Sequence, residues 1–217
     1  MTDLDEILAG LKDIPTATIA NALDDVGKLI NSSTAIRPIN PNMRLIGRAL
    51  TVDVEAGEPG DFTSEDFRVG AMLDAAQTGD VLVVSAKGAK ASIWGGMASL
   101  AATVKGIAGL VVDGSVRDVD EINACGFNVF SRHVIPTTGR TRLNVKSIGN
   151  EISVDGVIVN CGDVIIGDST GLVVVPYDQA PKVLEKAMLY QADDIKAAFE
   201  IRRGISFAEV MKQFKRI

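Results

Sequence analysis

Apolar residues recur along the chain with two periods, and the change between them predicts an alternation of strands and helices. Short apolar runs bounded by turn residues are typical of buried strands, whereas runs of strong helix formers that stop at a glycine are typical of helices. The predicted strands are 45–54, 80–84, 109–114, 129–130, 152–154, 157–159, 164–166 and 172–175. The predicted helices are 16–23, 65–76 and 97–105, the last of them ended by Gly106.

The second half of the chain differs from the first, since its strands are short and joined by tight turns. Asp155-Gly156 and the segment 169–171 have the composition of hairpin turns. Polar loops are predicted at 31–42, 55–64 and 132–142. We therefore predict an α/β fold with mixed sheets, in one domain over residues 1–217.

A helical arm is predicted at about 178–217. Asp178 is the expected cap of a long helix that reaches about Arg203 and stops at Gly204, and a last helix follows Ser206. The long helix has an apolar face, and two partners for this face remain open: the chain's own core or a neighbouring subunit. The positions of this face are Val183, Leu184, Ala187, Met188, Gln191 and Ile195.

Composition and charge narrow the class of protein. The 217 residues are 47% apolar and carry a net charge of −6, and a basic face for nucleic acid is not expected. No apolar run is long enough to span a bilayer, and the acidic N-terminus does not resemble a secretory signal. Two separate cysteines, Cys125 and Cys161, predict no disulfide framework. These features favour a cytoplasmic protein.

The segment 94–121 holds the candidate chemistry. Gly95 and Gly96 precede a helix whose first N–H groups (those of Gly96, Met97 and Ala98) form a potential anion site. The strand that follows leads to Arg117, which is suited to a carboxylate or a keto oxygen. Two plainer interpretations remain open: the glycine pair is only a turn, and the arginine is only a solvated surface residue.

Asp118 and Glu121 also admit two interpretations. Their spacing matches a capping box ahead of Ile122, in which both side chains satisfy helix N–H groups. As metal ligands, oxygen donors of this kind suit Mg²⁺ or Mn²⁺, which need few protein carboxylates. A zinc site is not expected, because His133 is the lone histidine and is predicted to lie in a loop.

Gly96, twenty residues, Arg117-Asp118, two residues and Glu121 resemble the G-x20-R-D-x2-E/D motif of the RraA-like family. PTATIANAL near the start, RPINPNMRLIGRALTV and GDVIIGDSTGLVVVP are also similar to that family, so the likeness covers most of the chain. The family includes class II pyruvate aldolases that act on 4-hydroxy-4-methyl-2-oxoglutarate and 4-carboxy-4-hydroxy-2-oxoadipate. Some members carry Asp where this chain has Gly96, and Glu121 then supplies the missing acid here.

The resemblance implies a swivelling β/β/α-type fold and a trimer or hexamer with active sites shared between subunits. It also implies Mg²⁺ or Mn²⁺ on Asp118, substrate contacts through Arg117, and a pyruvyl carboxylate held by backbone amides of the segment 95–98. A carboxylate from a neighbour's C-terminal helix, Asp193 or Asp194, is expected to complete the site with Glu121.

The activity implied by the resemblance is retro-aldol cleavage to pyruvate, with oxaloacetate decarboxylation as a second activity. The small 2-oxo acid would be the main partner of the protein. The alternative is a non-enzymatic regulator, because relatives in this family bind and inhibit the ribonuclease E machinery, and an acidic trimer suits arginine-rich segments.

Overall fold

The computed structural model describes residues 3–27 and 32–214. Asn31, the first residue of the predicted loop 31–42, lies outside the described residues, as do the last three residues of the predicted arm. The helices are α1 (Leu4–Leu11), α2 (Thr16–Val26), α3 (Val69–Ala75), α4 (Gly96–Lys105), α5 (Val119–Ala124), α6 (Ala180–Arg202) and α7 (Phe207–Gln213). The strands are β1 (Ser32–Ser33), β2 (Arg37–Pro38), β3 (Leu45–Ala56), β4 (Asp80–Ser85), β5 (Ser92–Trp94), β6 (Gly109–Val116), β7 (Val129–Val134), β8 (Leu143–Ile148), β9 (Ile152–Val154), β10 (Val157–Val159), β11 (Val164–Asp168) and β12 (Gly171–Val175).

The centre of the fold is a mixed sheet in which β3, β4, β6 and β7 are parallel neighbours. β11 and β12 extend the sheet antiparallel beyond β3, and β8 pairs with the far half of β3. β5 adds to β6 in parallel, while β9 and β10 form a separate hairpin. The predicted mixed α/β fold is confirmed.

Burial explains why the central strands are the most apolar segments of the chain. Every residue of β4 and β6 is buried, as expected for parallel strands that are covered on both faces. Val83 and Val111 pair across these strands with no exposed surface. Each fully buried side chain of this size contributes about 1.5–3 kcal/mol of hydrophobic stabilisation. The larger core therefore fixes the strand ends from which the candidate site is built.

A second, smaller core lies under the terminal helices. It joins α1, α2 and α6 to one face of β11 and β12. Asp168, at the end of β11, accepts hydrogen bonds from the N–H (2.9 Å) and hydroxyl (2.8 Å) of Thr16 and so caps the start of α2. On the predicted apolar face of α6, Val183 and Ala187 are buried in this core, whereas Met188 and Ile195 are exposed.

Two predicted loops contain strands that the sequence did not indicate. The loop 31–42 contributes β1 and β2 to the sheet edges, and the loop 132–142 begins only after Val134, so that His133 lies in β7. β5 and β8 were not predicted either. These strands are short or half polar, and they form because long-range pairing with the central sheet outweighs their weak local pattern.

Two predicted helix starts were wrong. The helix expected at 65–76 begins at Val69, because the carboxylate of Asp66 accepts hydrogen bonds from the N–H and hydroxyl of Thr63 and closes a turn there. Asp178 does not cap α6, whose N-cap residue is Gln179 and makes no side-chain capping bond. The predicted endings at Gly106 and the Asp155-Gly156 turn are confirmed, with positive φ at all three residues. No helix among the residues described has the length and apolar character needed to cross a membrane.

Candidate active site

The Gly95–Gly96 turn links the end of β5 to the start of α4 and lies against the chain that follows β6. A Cβ atom on Gly95 would lie 2.4 Å from Asp118 Oδ2 and 3.3 Å from Arg117 Nε. One on Gly96 would lie 2.6 Å from Glu121 Cβ. A side chain at either position would therefore require the neighbouring segment to shift, and the turn and the Arg-Asp pair lie side by side as predicted.

The backbone after β6 places Arg117 and Asp118 toward this turn. The N–H of Arg117 donates to the carbonyl of Trp94 at 3.0 Å, which ties the two segments together. Asp118 has φ +58°, in the left-handed region that non-glycine residues seldom adopt. Its Oδ2 accepts the N–H of Gly96 at 3.1 Å and lies 3.4 Å from Arg117 Nε.

This geometry decides between the two interpretations of Asp118. The residue occupies the N-cap position of α5, yet its side chain makes no capping hydrogen bond. The carboxylate is directed instead across to the α4 N-terminus. The capping-box interpretation is therefore wrong, and the carboxylate is left beside the guanidinium and the glycine turn.

The first turn of α4 retains donors for an anion. The N–H of Gly96 is engaged by Asp118, and that of Ser99 donates to the carbonyl of Gly95. Those of Met97 and Ala98 have no acceptor within the described part of the chain. They lie where a helix start is electropositive, so these two amides are the candidates for a carboxylate ligand.

Glu121 occupies the space that a side chain at position 96 would take. A Cβ built on Gly96 would lie 2.6 Å from the Cβ of Glu121, so a side chain at position 96 requires the two segments to move apart or position 121 to lose its own side chain. An acid placed at either position would therefore serve the same small volume beside Asp118.

Two cavities meet at these residues. A cavity of about 180 Å³ has Arg117, Asp118 and the start of α4 on one side, and apolar side chains on the other. Its apolar lining includes Phe67, Val69, Ile93 and Trp94. A wider groove of about 620 Å³ runs on the other side, along Glu121, Asp118 and the exposed face of α4. Asp118 and Met97 line both, so a ligand in either space would lie beside the Asp118 carboxylate.

The donor set fits a hydrated hard cation and not a zinc ion. No group of three or more Asp, Glu, His or Cys side chains suited to a metal occurs among residues 3–27 and 32–214. Asp118 and Glu121 offer two carboxylates at the groove, and the side chain of Asp118 keeps 40% of its surface exposed. Mg²⁺ is commonly held by one or two carboxylates while it keeps several waters, and Mn²⁺ also favours oxygen ligands.

Asp193 and Asp194 lie elsewhere within the chain. Both are on α6, which packs against α1 and α2 in the smaller core, and neither lines the two cavities. Asp193 Oδ1 is 3.8 Å from Lys196 Nζ, and Asp194 accepts a hydrogen bond from the hydroxyl of Thr18. Their participation through a partner subunit stays a prediction.

Asp113, which the sequence places at the end of the strand before Arg117, faces away from this site. β6 continues to Val116, and the Asp113 carboxylate binds Arg132 at 2.6 Å and the N–H of Asp155 at 2.8 Å. Conversely, the sequence analysis missed Trp94 and Ser99, whose side chains are joined by a hydrogen bond beneath the glycine turn. The signal for Ser99 was its position four residues after Gly95, from which a serine hydroxyl reaches back to the earlier carbonyl.

Comparison with known proteins identifies the family and the fold. A protein of Halalkalibacterium halodurans named "Putative 4-hydroxy-4-methyl-2-oxoglutarate aldolase" is 35% identical over 190 residues, which are 87% of this chain and 85% of the relative. A crystal structure of a protein from Pseudomonas syringae superposes with a TM-score of 0.85 at 25% identity, covering 97% of this chain and 98% of that one. RraAS2 of Streptomyces coelicolor, described as an unusual member of the RNase ES inhibitor RraA protein family, has the same fold, with a TM-score of 0.82 at 24% identity over 92% of this chain and 100% of its own. Residues 16–174 match the family described as RraA-like: Aldolase/RraA, and the chain belongs to that family.

Proposed function

We propose that this protein is a divalent-metal-dependent lyase that cleaves 4-hydroxy-2-oxo acids of the 4-hydroxy-4-methyl-2-oxoglutarate type to pyruvate and a second carbonyl compound. The observation that carries the proposal is the contact of the Asp118 carboxylate with the Gly96 N–H, 3.4 Å from the Arg117 guanidinium. The first N–H groups of α4, the guanidinium of Arg117 and the carboxylate of Asp118, which has unused hydrogen-bonding capacity, meet there at a cavity. Family-level aldolase activity, supported by the names of relatives, agrees with this chemistry.

Substrate binding follows from the orientation of these groups. The N–H groups of Met97 and Ala98 bind the 1-carboxylate at the electropositive start of α4. Arg117 donates to the 2-keto oxygen, and Asp118 and Glu121 hold Mg²⁺ or Mn²⁺. Such an ion, when bound, would supply Lewis-acid withdrawal of charge from the 2-oxo acid.

Cleavage requires a base and a stabiliser of negative charge. A water held by Glu121, or a carboxylate such as Asp193 of the partner subunit, accepts the proton of the C4 hydroxyl. The C3–C4 bond then breaks, C4 leaves as a carbonyl group, and the electron pair passes to the C2 oxygen as an enolate. Arg117 stabilises this oxygen because its guanidinium already lies at the site, 3.4 Å from the Asp118 carboxylate, before the charge develops. Protonation at C3 completes pyruvate.

Oxaloacetate decarboxylation is the expected second activity. Loss of CO₂ from C4 of oxaloacetate leaves the same enolate, and it needs no base for a C4 hydroxyl. This substrate therefore tests the carboxylate site and Arg117 independently of the proposed base.

A homo-oligomer with shared sites is part of the proposal. α4 exposes Met97, Leu100 and Val104 along one face, next to the groove that contains Glu121. Exposed apolar stripes beside a candidate site favour coverage by a second subunit. Sedimentation velocity is expected to give a trimer or hexamer.

The experiment is pyruvate release from oxaloacetate and from 4-hydroxy-4-methyl-2-oxoglutarate by the purified protein. We expect release to stop with EDTA and to return with Mg²⁺ or Mn²⁺. Arg117→Ala is expected to lower the rate about 10²–10³-fold, the usual cost of removing one fixed stabiliser of developing charge. Full activity of Arg117→Ala, or activity that is indifferent to EDTA, would refute the mechanism.

The alternative function is regulation of ribonuclease E by protein binding. It is favoured by the shared fold with RraAS2 and by the net charge of −6, which suits an arginine-rich partner. Tight, salt-dependent binding to ribonuclease E in a pull-down, together with no metal-dependent pyruvate release, would replace the lyase proposal.

A further inference from the structure

We infer that Ser99 is a positioning residue, which holds the Gly95–Gly96 turn in register with Arg117 through a hydrogen-bond relay from the indole of Trp94. The inference rests on the proposed function for its catalytic consequence. Its structural content, a turn held from beneath by a buried hydroxyl, is measured separately below.

The Ser99 hydroxyl acts both as a hydrogen-bond acceptor and as a hydrogen-bond donor. It accepts a hydrogen bond from Trp94 Nε1 at 2.8 Å and donates one to the carbonyl of Gly95 at 3.1 Å. Ser99 has no exposed surface and Trp94 has 2%. The carbonyl of Gly95 also accepts the N–H of Ser99, so one side chain and its own backbone fix the orientation of that peptide group.

Trp94 connects the same turn to Arg117. Its carbonyl accepts the N–H of Arg117 at 3.0 Å and the hydroxyl of Ser92 at 2.7 Å. Its indole is stacked on Phe127, with ring centroids 6.0 Å apart, and this packing leaves the indole N–H aimed at Ser99. The carbonyl of Trp94 therefore holds the segment of Arg117, and its indole N–H holds Ser99 next to the glycine turn. Both halves of the site are thus bound to one buried residue.

The relay matters because the site tolerates little displacement. The Gly95 and Gly96 Cα atoms lie so close to Asp118 and Glu121 that added Cβ atoms would collide with them. The free N–H groups of Met97 and Ala98 follow directly after the turn. A rotation of the Gly95 peptide would therefore change their direction relative to Arg117, and displacements of about 1 Å in such arrangements cost up to about 10²-fold in rate.

A purely structural role makes a different prediction. If Ser99 serves only to satisfy the buried indole N–H, removing both partners together restores what removing one of them loses. If Ser99 also orients the turn, its bond to the Gly95 carbonyl remains missing in the double variant. In the double variant, stability is then restored while the activity stays low.

The test compares Ser99→Ala, Trp94→Phe and the double variant, with Thr103→Ala as the matched control. Thr103 is on the same helix, and its hydroxyl donates to a backbone carbonyl four residues earlier, as that of Ser99 does. We expect Ser99→Ala to lower kcat/KM for oxaloacetate by about 10-fold or more. Introduced into the Trp94→Phe variant, Ser99→Ala is expected to lower kcat/KM by a similar factor without lowering the melting temperature below that of Trp94→Phe. Equal loss in Ser99→Ala and Thr103→Ala, or recovery of activity in the double variant, would overturn the inference.

A second measurement does not depend on turnover. The chain contains one tryptophan, so the indole N–H gives one cross-peak in a ¹⁵N–¹H spectrum. With Mg²⁺ present, oxalate, a planar analogue of the pyruvate enolate, is expected to shift this peak in the wild-type protein, and with at least about tenfold weaker apparent affinity in Ser99→Ala. This result would support the relay even if no lyase activity is found. Equal affinity in both proteins would overturn the relay. An unmoved peak in the wild type would instead count against the proposed anion site, and the relay would then be overturned by an indole N–H that exchanges with solvent equally fast in the wild type and in Ser99→Ala.

Discussion

Asp118 and Asp155 are two aspartates in closely similar settings that do different things. Both have positive φ, +58° and +49°, and both lie beside an arginine, Arg117 and Arg132 respectively. Both line a cavity. They differ in what the carboxylate touches, and this difference separates a structural acid from a candidate reactive one.

The Asp155 carboxylate is fully engaged. It accepts hydrogen bonds from Arg132 at 2.7 Å, from the Ser33 hydroxyl and the Thr34 N–H at 2.8 Å, and from the Ala35 N–H at 3.0 Å. These bonds tie the β9–β10 hairpin to the segment that follows β1. They also lower the pKa of Asp155 well below its ordinary value, in spite of the opposing effect of burial.

The Asp118 carboxylate has one backbone donor, Gly96, and an arginine at 3.4 Å, and its side chain is 40% exposed against 16% for Asp155. Cavity size does not separate the two, because the cavity beside Asp155 measures about 610 Å³ and the groove along Asp118 about 620 Å³. Unused hydrogen-bonding capacity, and not volume, identifies the group that is available to a ligand.

The largest expected effect comes from Asp118→Asn. Asparagine keeps the size and tolerates the left-handed backbone, so the fold should be retained while the charge is lost. We expect metal-dependent pyruvate release to fall about 10²–10³-fold. Thermal unfolding should show a melting temperature close to that of the wild type. A variant with wild-type turnover would mean that this carboxylate is as structural as Asp155.

The reciprocal substitution, Asp155→Asn, should affect stability and spare chemistry. It removes the charge that pairs with Arg132 and weakens the bonds to residues 33–35. Because hydrogen bonds to charged groups contribute about 1.5–3 kcal/mol, we expect the free energy of unfolding in urea to fall by about 2–3 kcal/mol. Activity per folded molecule should remain unchanged. Loss of turnover without loss of stability would reverse the roles assigned to the two aspartates.

The sequence alone could not distinguish these two acids. The motif of Gly96, Arg117, Asp118 and Glu121 is local enough to predict that an anion site and a guanidinium meet. The direction of the Asp118 carboxylate depends on a left-handed backbone and on the tertiary placement of α4, and the helical spacing alone favoured capping instead. Both depend on contacts between segments that are distant in the sequence, and a local residue pattern does not reveal such contacts.

The same limit explains the errors in the fold. The apolar runs of β4 and β6 predicted buried strands because burial on both faces leaves a continuous signal in the sequence. β8 has alternating exposure and is stabilised by pairing with β3, a contact between segments about ninety residues apart. Asp113 lies inside β6 and not at its end, because this strand, predicted to stop at residue 114, continues to Val116.

A third prediction concerns positions 96 and 121, from either of which an acid could reach the groove beside Asp118. Gly96→Asp alone should destabilise the protein by about 1–3 kcal/mol, because its Cβ would collide with that of Glu121. Combining it with Glu121→Gly removes the Cβ atom that the new side chain would meet and returns an acid to the same groove. We expect the double variant to recover part of the melting temperature and a measurable part of the metal-dependent activity that Glu121→Gly lacks. If Gly96→Asp is equally destabilising in both backgrounds, the two positions do not share one space.

The smallest effect concerns stability in acid, where Asp155 and Asp163 should act in opposite directions. Hydrogen bonds lower the folded-state pKa of Asp155 below the ordinary 3.8, whereas burial, the larger influence at Asp163, raises the pKa of that carboxyl. The folded state therefore binds fewer protons at Asp155 than the unfolded state does. The stability contributed by Asp155 is present above about pH 4 and is lost as the pH falls through its folded-state pKa.

At Asp163 the sign is reversed, because the raised pKa makes ionisation costly in the folded protein and its contribution to stability declines as the pH rises past 3.8. Urea unfolding of the wild type, Asp155→Asn and Asp163→Asn between pH 7 and pH 3 measures both slopes. The gap between wild type and Asp155→Asn should narrow toward pH 3, while the wild type gains relative to Asp163→Asn over the same interval. Gaps that narrow together would show that the bonds from Asn160 and Tyr177 to Asp163 outweigh its burial.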